Sequence, residues 1–261
     1  MIYLMKNCTT IVLRTYVLAI LFALFVCCRA EGQELFSPDK TLEVLTFVKK
    51  WLPQDPIILE AGSYNGNDTV LMAQQWPESK IFTFEPIIQL FLQTKQNTST
   101  YPNVKCFQKA LSDKSETTLF YVSEINGNIS ASSSLLPPKE HLDFYPYILF
   151  PSSIEIEAVS LDEWAKTQNV DHIDFLWLDM QGYELPMLKK SQLAQAATAI
   201  YIEVEFVEAY EGQFLYEDVY SWMLSQGFHL VATDFRENQR EEQLKSKRFW
   251  GNCLFVKEDK L

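Results

Sequence analysis

Ile57-Ile58-Leu59-Glu60-Ala61-Gly62-Ser63-Tyr64-Asn65-Gly66-Asn67-Asp68-Thr69 is the stretch that decides the fold class. A short apolar run ends in an acid, two glycines follow, and the polar residues after them suit a helix start. A strand–turn–helix of this kind is how α/β proteins handle nucleotides. Gly62 lets the chain bend and its backbone approach a ligand, and Gly66 permits close approach at the helix entrance. Asn67 or Asp68 is expected to cap that helix. The spacing Gly62-x-x-x-Gly66 departs from the G-x-G-x-x-G of a dinucleotide site, which counts against an NAD pyrophosphate. Taken alone, the turn also fits an ordinary strand-to-helix connection.

Outward from this turn, apolar runs of parallel-strand length recur at residues 57–59, 81–84, 104–107, 173–178, 200–204, 228–232 and 253–256. Helical patterns fall between most of them, at 69–75, 87–96, 161–167, 184–193 and 215–225. The alternation predicts an α/β fold with a mainly parallel sheet covered by helices on both faces. Ahead of the first strand, Ser37-Pro38-Asp39 reads as a helix start, and Leu42, Leu45, Val48 and Leu52 mark one face up to Pro53. Two regions break the rhythm. Residues 123–153 hold a serine-rich run, paired prolines and Phe144-Tyr145-Pro146-Tyr147, too much for a bare connection, so a lid or insert is expected there. Residues 236–248 mix charges densely and read as a solvated loop or short exposed helix.

Acids sit at the ends of the expected strands. Glu85, in Phe84-Glu85-Pro86, lies 23 residues after Gly62, the spacing at which a carboxylate accepts hydrogen bonds from ribose hydroxyls. Asp179 follows the apolar Phe175-Leu176-Trp177-Leu178 and should project into the crevice beyond the strand tips. Glu184 suits the first turn of the next helix. Glu203 and Glu205 alternate onto one face of an interior strand, which is costly without a partner or a task. His141, His172 and His229 fall in separate elements without metal-ligand spacing, so no metal site is expected.

The ordered motifs Glu60-Ala61-Gly62-Ser63-Tyr64-Asn65-Gly66, Phe84-Glu85-Pro86, Ala110-Leu111-Ser112-Asp113, Leu161-Asp162-Glu163, Leu178-Asp179-Met180-Gln181-Gly182-Tyr183-Glu184 and Ile202-Glu203-Val204 resemble the FkbM-type S-adenosylmethionine-dependent methyltransferases. The resemblance implies a Rossmann-like seven-stranded methyltransferase sheet with an antiparallel last strand, and methyl transfer to a hydroxyl oxygen. It implies that Glu60, Gly62, Ser63 and Gly66 shape the methionine end of the cofactor site, that Glu85 holds the ribose, and that Ser112 and Asp113 border the adenine. Asp179 would sit near the transferring methyl. It is the first candidate for general base and Glu203 the second; a purely structural role for Asp179 stays open beside it. Two departures stand out. Ser63 and Tyr64 replace the Ala-Asn of the family's Gly-Ala-Asn-x-Gly, and Gln181 replaces the glutamate of D-x-E-G. They leave a non-catalytic binding domain on the same fold as the alternative. In the resembled fold Cys106 and Cys253 lie about five strand spacings apart, roughly 24 Å, so two free, mostly buried thiols are expected.

The chain has 261 residues, and 48% apolar with 21% charged content excludes a disordered or low-complexity protein. Lys6, Arg14 and Arg29, with no acid among residues 1–30, flank an apolar run over 15–28. Residues 1–30 therefore read as a signal peptide or membrane anchor, with residues 11–28 the part able to associate with a membrane, and 31–261 as the methyltransferase domain. The domain is expected to be exported or membrane-associated, with a cytosolic catalytic domain as the alternative because the methyl donor is cytosolic. Loss of the leader's three positive charges would take the formal charge from −12 to −15. That balance argues against nucleic acid and leaves a small-molecule, sugar or lipid-linked acceptor.

Overall fold

A computed structural model describes residues 40–235, 240–245 and 247–261. The leader, residues 11–28 and the helix start at Ser37 lie outside the described residues. Helix α1 (Thr41–Val48) buries Val44, Leu45 and Val48 and tightens into a 3-10 turn at Lys49–Trp51 before Pro53.

The main sheet is built from β1 (Ile57–Ala61), β2 (Lys80–Phe84), β3 (Val104–Phe107), β8 (Phe175–Leu178), β9 (Ala199–Glu205), β10 (Phe228–Thr233) and β11 (Trp250–Lys257). Its order is β10-β11-β9-β8-β1-β2-β3, and only β11 runs antiparallel to its neighbours. The seven-stranded, mainly parallel sheet with its antiparallel last strand is thus present. Alternate residues sort to opposite faces. Leu59, Ala61, Leu176 and Ile202 pack on α5 (Leu161–Gln168), α6 (Glu184–Lys190) and α8 (Tyr216–Ser225); Ile58, Phe175 and Tyr201 pack on α1 and α2 (Asn67–Gln75). Burial on both faces is why these strands read as unbroken apolar runs.

Strand order reverses between β1 and β8: β2 and β3 extend to one side of β1, and β8 and β9 to the other. Such a switch point leaves a crevice beyond the carboxyl ends of the strands. Gly62 and Asp179 are the residues that follow those two strands.

Between β3 and α5 the structure differs from the expectation. No strand was expected there, yet β4 (Ala110–Ser112), β5 (Glu116–Ile125), β6 (Asn128–Ile129) and β7 (Leu149–Ser160) form a second sheet in the order β4-β7-β5-β6. The chain crosses from one sheet to the other within Gln108-Lys109. Residues 123–153 hold the β5–β6 hairpin, the serine-rich run, α4 (His141–Phe144) and the start of β7. Ile87 and Leu90, the latter in α3 (Ile88–Asn97), pack against Ala110, Phe120, Val122 and Ile156, fastening the second sheet beside the strand tips.

The helix expected over 184–193 is two helices. Ser191 takes an extended conformation and its hydroxyl caps α7 (Gln192–Ala196) by accepting from the Ala194 N–H at 3.1 Å. Residues 240–245 form the short helix α9 (Arg240–Lys245). Among the described residues Cys106 and Cys253 form no disulfide; Cys253 is buried and Cys106 is half-buried on edge strand β3.

Candidate functional site

Gly62 has φ +87°, a conformation that glycine adopts without the Cβ penalty. A Cβ built there would lie 1.8 Å from the carbonyl oxygen of Asp179, so only hydrogen fits between the tips of β1 and β8. Tyr64 follows with φ +51° and Gly66 with φ +79°. Gly66, not a side chain of Asn67 or Asp68, occupies the cap position of α2, and the Asn67 N–H donates to Asn65 Oδ1 at 3.1 Å. A Cβ on Gly66 would meet Thr94 Cγ2 at 2.9 Å, and the Ser63 hydroxyl sits 3.5 Å from that of Thr94. Gly66 and Ser63 therefore seat α2 against α3 and do not line the crevice.

Beyond the strand tips lies a hollow with about 580 Å³ of empty volume, part of it open to solvent. Gly62, Glu85 and Asp179 all line it. Phe84, Ile87, Leu90, Leu111 and Phe120 supply apolar wall, and Ser130, Ala131, Ser133 and Leu135 close it from the serine-rich run. These last residues fall within the lid or insert expected over 123–153, although none of them was singled out as a site residue.

Glu85 is 6% exposed and hooked to the glycine turn. Its Oε2 accepts from the Tyr64 N–H at 3.1 Å and its Oε1 from the Ile87 N–H at 2.9 Å. Each oxygen keeps a lone pair for a further donor. Burial pushes this carboxyl up to about 8, against the opposing pull of the two N–H groups. Glu60 is also buried but stands behind the turn, accepting from the hydroxyls of Thr69 on α2 and Thr83 on β2. Its carboxyl is raised by burial to about 7, and the two hydroxyls hold it down. Ser112 and Asp113 do not line the hollow; Lys109, Ala110 and Leu111 do. Asp113 instead accepts from the Tyr183 hydroxyl at 2.9 Å.

At the other wall, the Asp179 N–H donates to the Ala61 carbonyl at 3.0 Å, and Asp179 Oδ1 accepts from Gln181 Nε2 at 2.6 Å. The same nitrogen donates to Glu203 Oε2 at 2.5 Å, so Glu203 reaches Asp179 through Gln181 without itself lining the hollow. Tyr210 donates its hydroxyl to Gln181 Oε1 at 2.7 Å. Glu184, at the start of α6, accepts from the Met180 N–H at 2.6 Å and fastens the turn after β8. The two departures from the family pattern thus have structural tasks. Gln181 bridges two acids, and the Tyr64 hydroxyl donates to the Ile129 carbonyl at 3.2 Å, tying the glycine turn to the cover.

Glu60, Glu85, Asp179, Glu184, Glu203 and Glu205 are a buried acidic set, and burial is the leading cause that raises each of them. Among the described residues none of the six forms a salt bridge. An uncompensated set of this kind is costly alone and favourable to a cation. The donor set therefore fits a ligand with an apolar ring system, vicinal hydroxyls and a positive centre. No group of His, Cys, Asp or Glu among the described residues could hold a metal ion. No helix among them is long and apolar enough to cross a membrane.

The methyltransferase FkbM domain family matches over residues 60–230. The 2-O-methyltransferase NoeI of Sinorhizobium fredii (strain NBRC 101917 / NGR234) is 30% identical over 208 residues, covering 78% of this chain and 84% of that protein. Methyltransferase sdnD of Sordaria araneosa is 28% identical over 163 residues, covering 53% of this chain and 61% of that protein. Among solved structures, the N-terminal domain of EvdMO1 with SAH bound aligns over 85% of this chain and 82% of its own, with TM-score 0.46 and 11% identity. A SAM-dependent methyltransferase from Aquifex aeolicus aligns over 81% and 87%, with TM-score 0.42 and 10% identity. By the extent of its match, this chain belongs to the FkbM methyltransferase family.

Proposed function

We propose that the chain is an S-adenosylmethionine-dependent O-methyltransferase acting on a hydroxyl of a small-molecule, sugar or lipid-linked acceptor. The observation that carries this reading is the convergence of Gly62, Glu85 and Asp179 on one hollow at the switch point of the sheet, among a set of buried acids. The 2-O-methyltransferase name of the NoeI relative supports oxygen as the accepting atom. When bound, S-adenosylmethionine supplies an electrophilic methyl group on a positively charged sulfur. Glu85 accepts the ribose hydroxyls, and the apolar wall from Phe84 to Phe120 takes the adenine. Gly62 brings its bare backbone against the ligand, and the cover at residues 130–135 excludes water. Asp179, the acid that lines the hollow beside Gln181, takes the proton that a hydroxyl acceptor sheds.

Calorimetric titration of the full chain with S-adenosylmethionine, and separately with NAD, tests the reading. Saturable binding of S-adenosylmethionine alone is expected, weakened about tenfold or more in Glu85→Ala, since two ribose hydrogen bonds worth about 0.5–1.5 kcal/mol each are lost. Methyl transfer to a hydroxylated sugar panel should accompany it. Binding of NAD without S-adenosylmethionine would overturn the assignment. Cofactor binding without transfer to any acceptor would favour a non-catalytic domain.

A further inference from the structure

The amide of Gln181 lies between two acids. Its nitrogen carries two hydrogens, one for Asp179 Oδ1 at 2.6 Å and one for Glu203 Oε2 at 2.5 Å. Its orientation is set from the far side, where Oε1 faces the Tyr210 hydroxyl at 2.7 Å. A flipped amide would turn its oxygen toward both carboxylates. The backbone is pinned as well: Gln181 has φ +55° and its carbonyl accepts from the Ser134 hydroxyl at 2.7 Å. A glutamate at this position would insert a third carboxyl between the other two, and even when protonated it would have a single hydrogen to donate where the amide has two.

The surroundings are acidic from every side. Glu60 on β1, Asp68 on α2, Glu85 after β2, Glu184 on α6 and Glu205 on β9 are the charged groups that face the pair, with the neutral phenols Tyr201 and Tyr210 beside it. Two carboxylates held by one amide in such a setting do not both stay ionised; they titrate as a unit. Burial raises both carboxyls, Glu203 with the charge of Asp179 adding to the rise and Asp179 against the opposing pull of its hydrogen bonds with Gln181 and Glu203.

We propose that Asp179 and Glu203, bridged by Gln181, share one proton in the ligand-free protein and release it when a sulfonium cation enters the hollow. Gln181 is the positioning residue, and the pair is what distinguishes the charged methyl donor from its neutral thioether product. The inference rests on the methyltransferase reading. S-adenosylmethionine and S-adenosylhomocysteine carry the same amino and carboxyl groups, so the ratio of their affinities isolates the response to the sulfonium. Release of one proton makes that ratio rise by up to tenfold per pH unit wherever the free pair is protonated.

Calorimetric affinities of the full chain for both ligands, taken across about pH 6 to 9, read this ratio directly. In the wild type it rises with pH; in Glu203→Gln the rise is shallower by the one proton the pair no longer supplies; in Gln181→Leu, which loses both donors, the rise moves to higher pH. A flat wild-type ratio with both ligands bound overturns the proposal and leaves the methyltransferase reading standing. A rise undiminished in Glu203→Gln assigns the proton to another acid and overturns it as well. Failure of both ligands to bind sinks the reading itself and the inference with it. If Glu203→Gln does not fold, the wild-type slope and the Gln181→Leu displacement still decide the matter.

Discussion

Replacement of Gly62 by alanine probes the closest contact in the site. Two costs act together. Left-handed φ on an L-residue costs about 1–2 kcal/mol. The added Cβ would then stand 1.8 Å from the Asp179 carbonyl oxygen, a backbone atom that cannot swing aside. Overpacking of this kind costs about 1–3 kcal/mol. The sum is about 2–5 kcal/mol, which at roughly 2–4 °C per kcal/mol for a domain of this size lowers Tm by roughly 4–20 °C. Gly127→Ala is the matched control: φ is +77° in the β5–β6 turn, and nothing lies within 4 Å of its would-be Cβ. It incurs the conformational cost alone. Calorimetric melts of both variants, with S-adenosylhomocysteine titrations beside them, separate strain from contact. Gly62→Ala should melt several degrees below Gly127→Ala and bind ligand more weakly, because the tips of β1 and β8 are forced apart. Equal melting of the two variants with intact binding would refute the reasoning.

The ligand-free protein should lose stability as pH rises. Glu60 and Glu85 have folded values near 7 and 8 against 4.5 unfolded, so the fold favours their neutral forms. That stabilisation is full below about pH 4.5 and is lost through 7 and 8, a decline on the order of a few kcal/mol that Glu85→Gln flattens. Denaturant unfolding at a series of pH values measures it, and stability rising from pH 5 to 8 would contradict it. Tyr210→Phe removes the donor that orients Gln181 and should destabilise by about 1 kcal/mol while weakening ligand binding; an unchanged protein would show that the amide needs no such anchor. Thiol labelling should find Cys106 reacting slowly in the native protein and Cys253 only on unfolding, and a disulfide between them under oxidation would contradict the strand order. For the leader, sequencing the N-terminus of the mature protein and fractionating cells distinguishes cleavage near residue 30 from a retained anchor; an uncleaved, freely soluble chain would contradict both.

What the sequence revealed and concealed has a physical pattern. Strands β1, β2, β8 and β9 are buried on both faces and therefore read as apolar runs, and the residues at their tips, Gly62, Glu85 and Asp179, were legible from position alone. Strands β5 and β7 expose much of one face, and β7 carries Pro151, so their pattern resembles a loop. Phe120, the residue of β5 in the wall, could not be found without the second sheet. Tyr210 lies 29 residues from the Gln181 it orients, a contact that only folding creates. The break at Ser191 did have a signal, a serine three residues ahead of the Ala194 N–H it caps. Glu60, Ser63 and Gly66 were legible as part of the turn, but the structure gives them the task of holding α2 and α3 rather than contact with the hollow.

The central claim is that one hollow at the tips of β1, β2 and β8 takes the adenosyl cofactor, and a crystal structure of the full chain grown with S-adenosylhomocysteine tests it most directly. The account predicts ribose density within hydrogen-bonding distance of Glu85, adenine against Ile87 and Phe120, and the sulfur on the Gly62–Asp179 side. Ligand density elsewhere on the molecule, with Glu85 still closed on Tyr64 and Ile87 and the hollow holding only water, would contradict it.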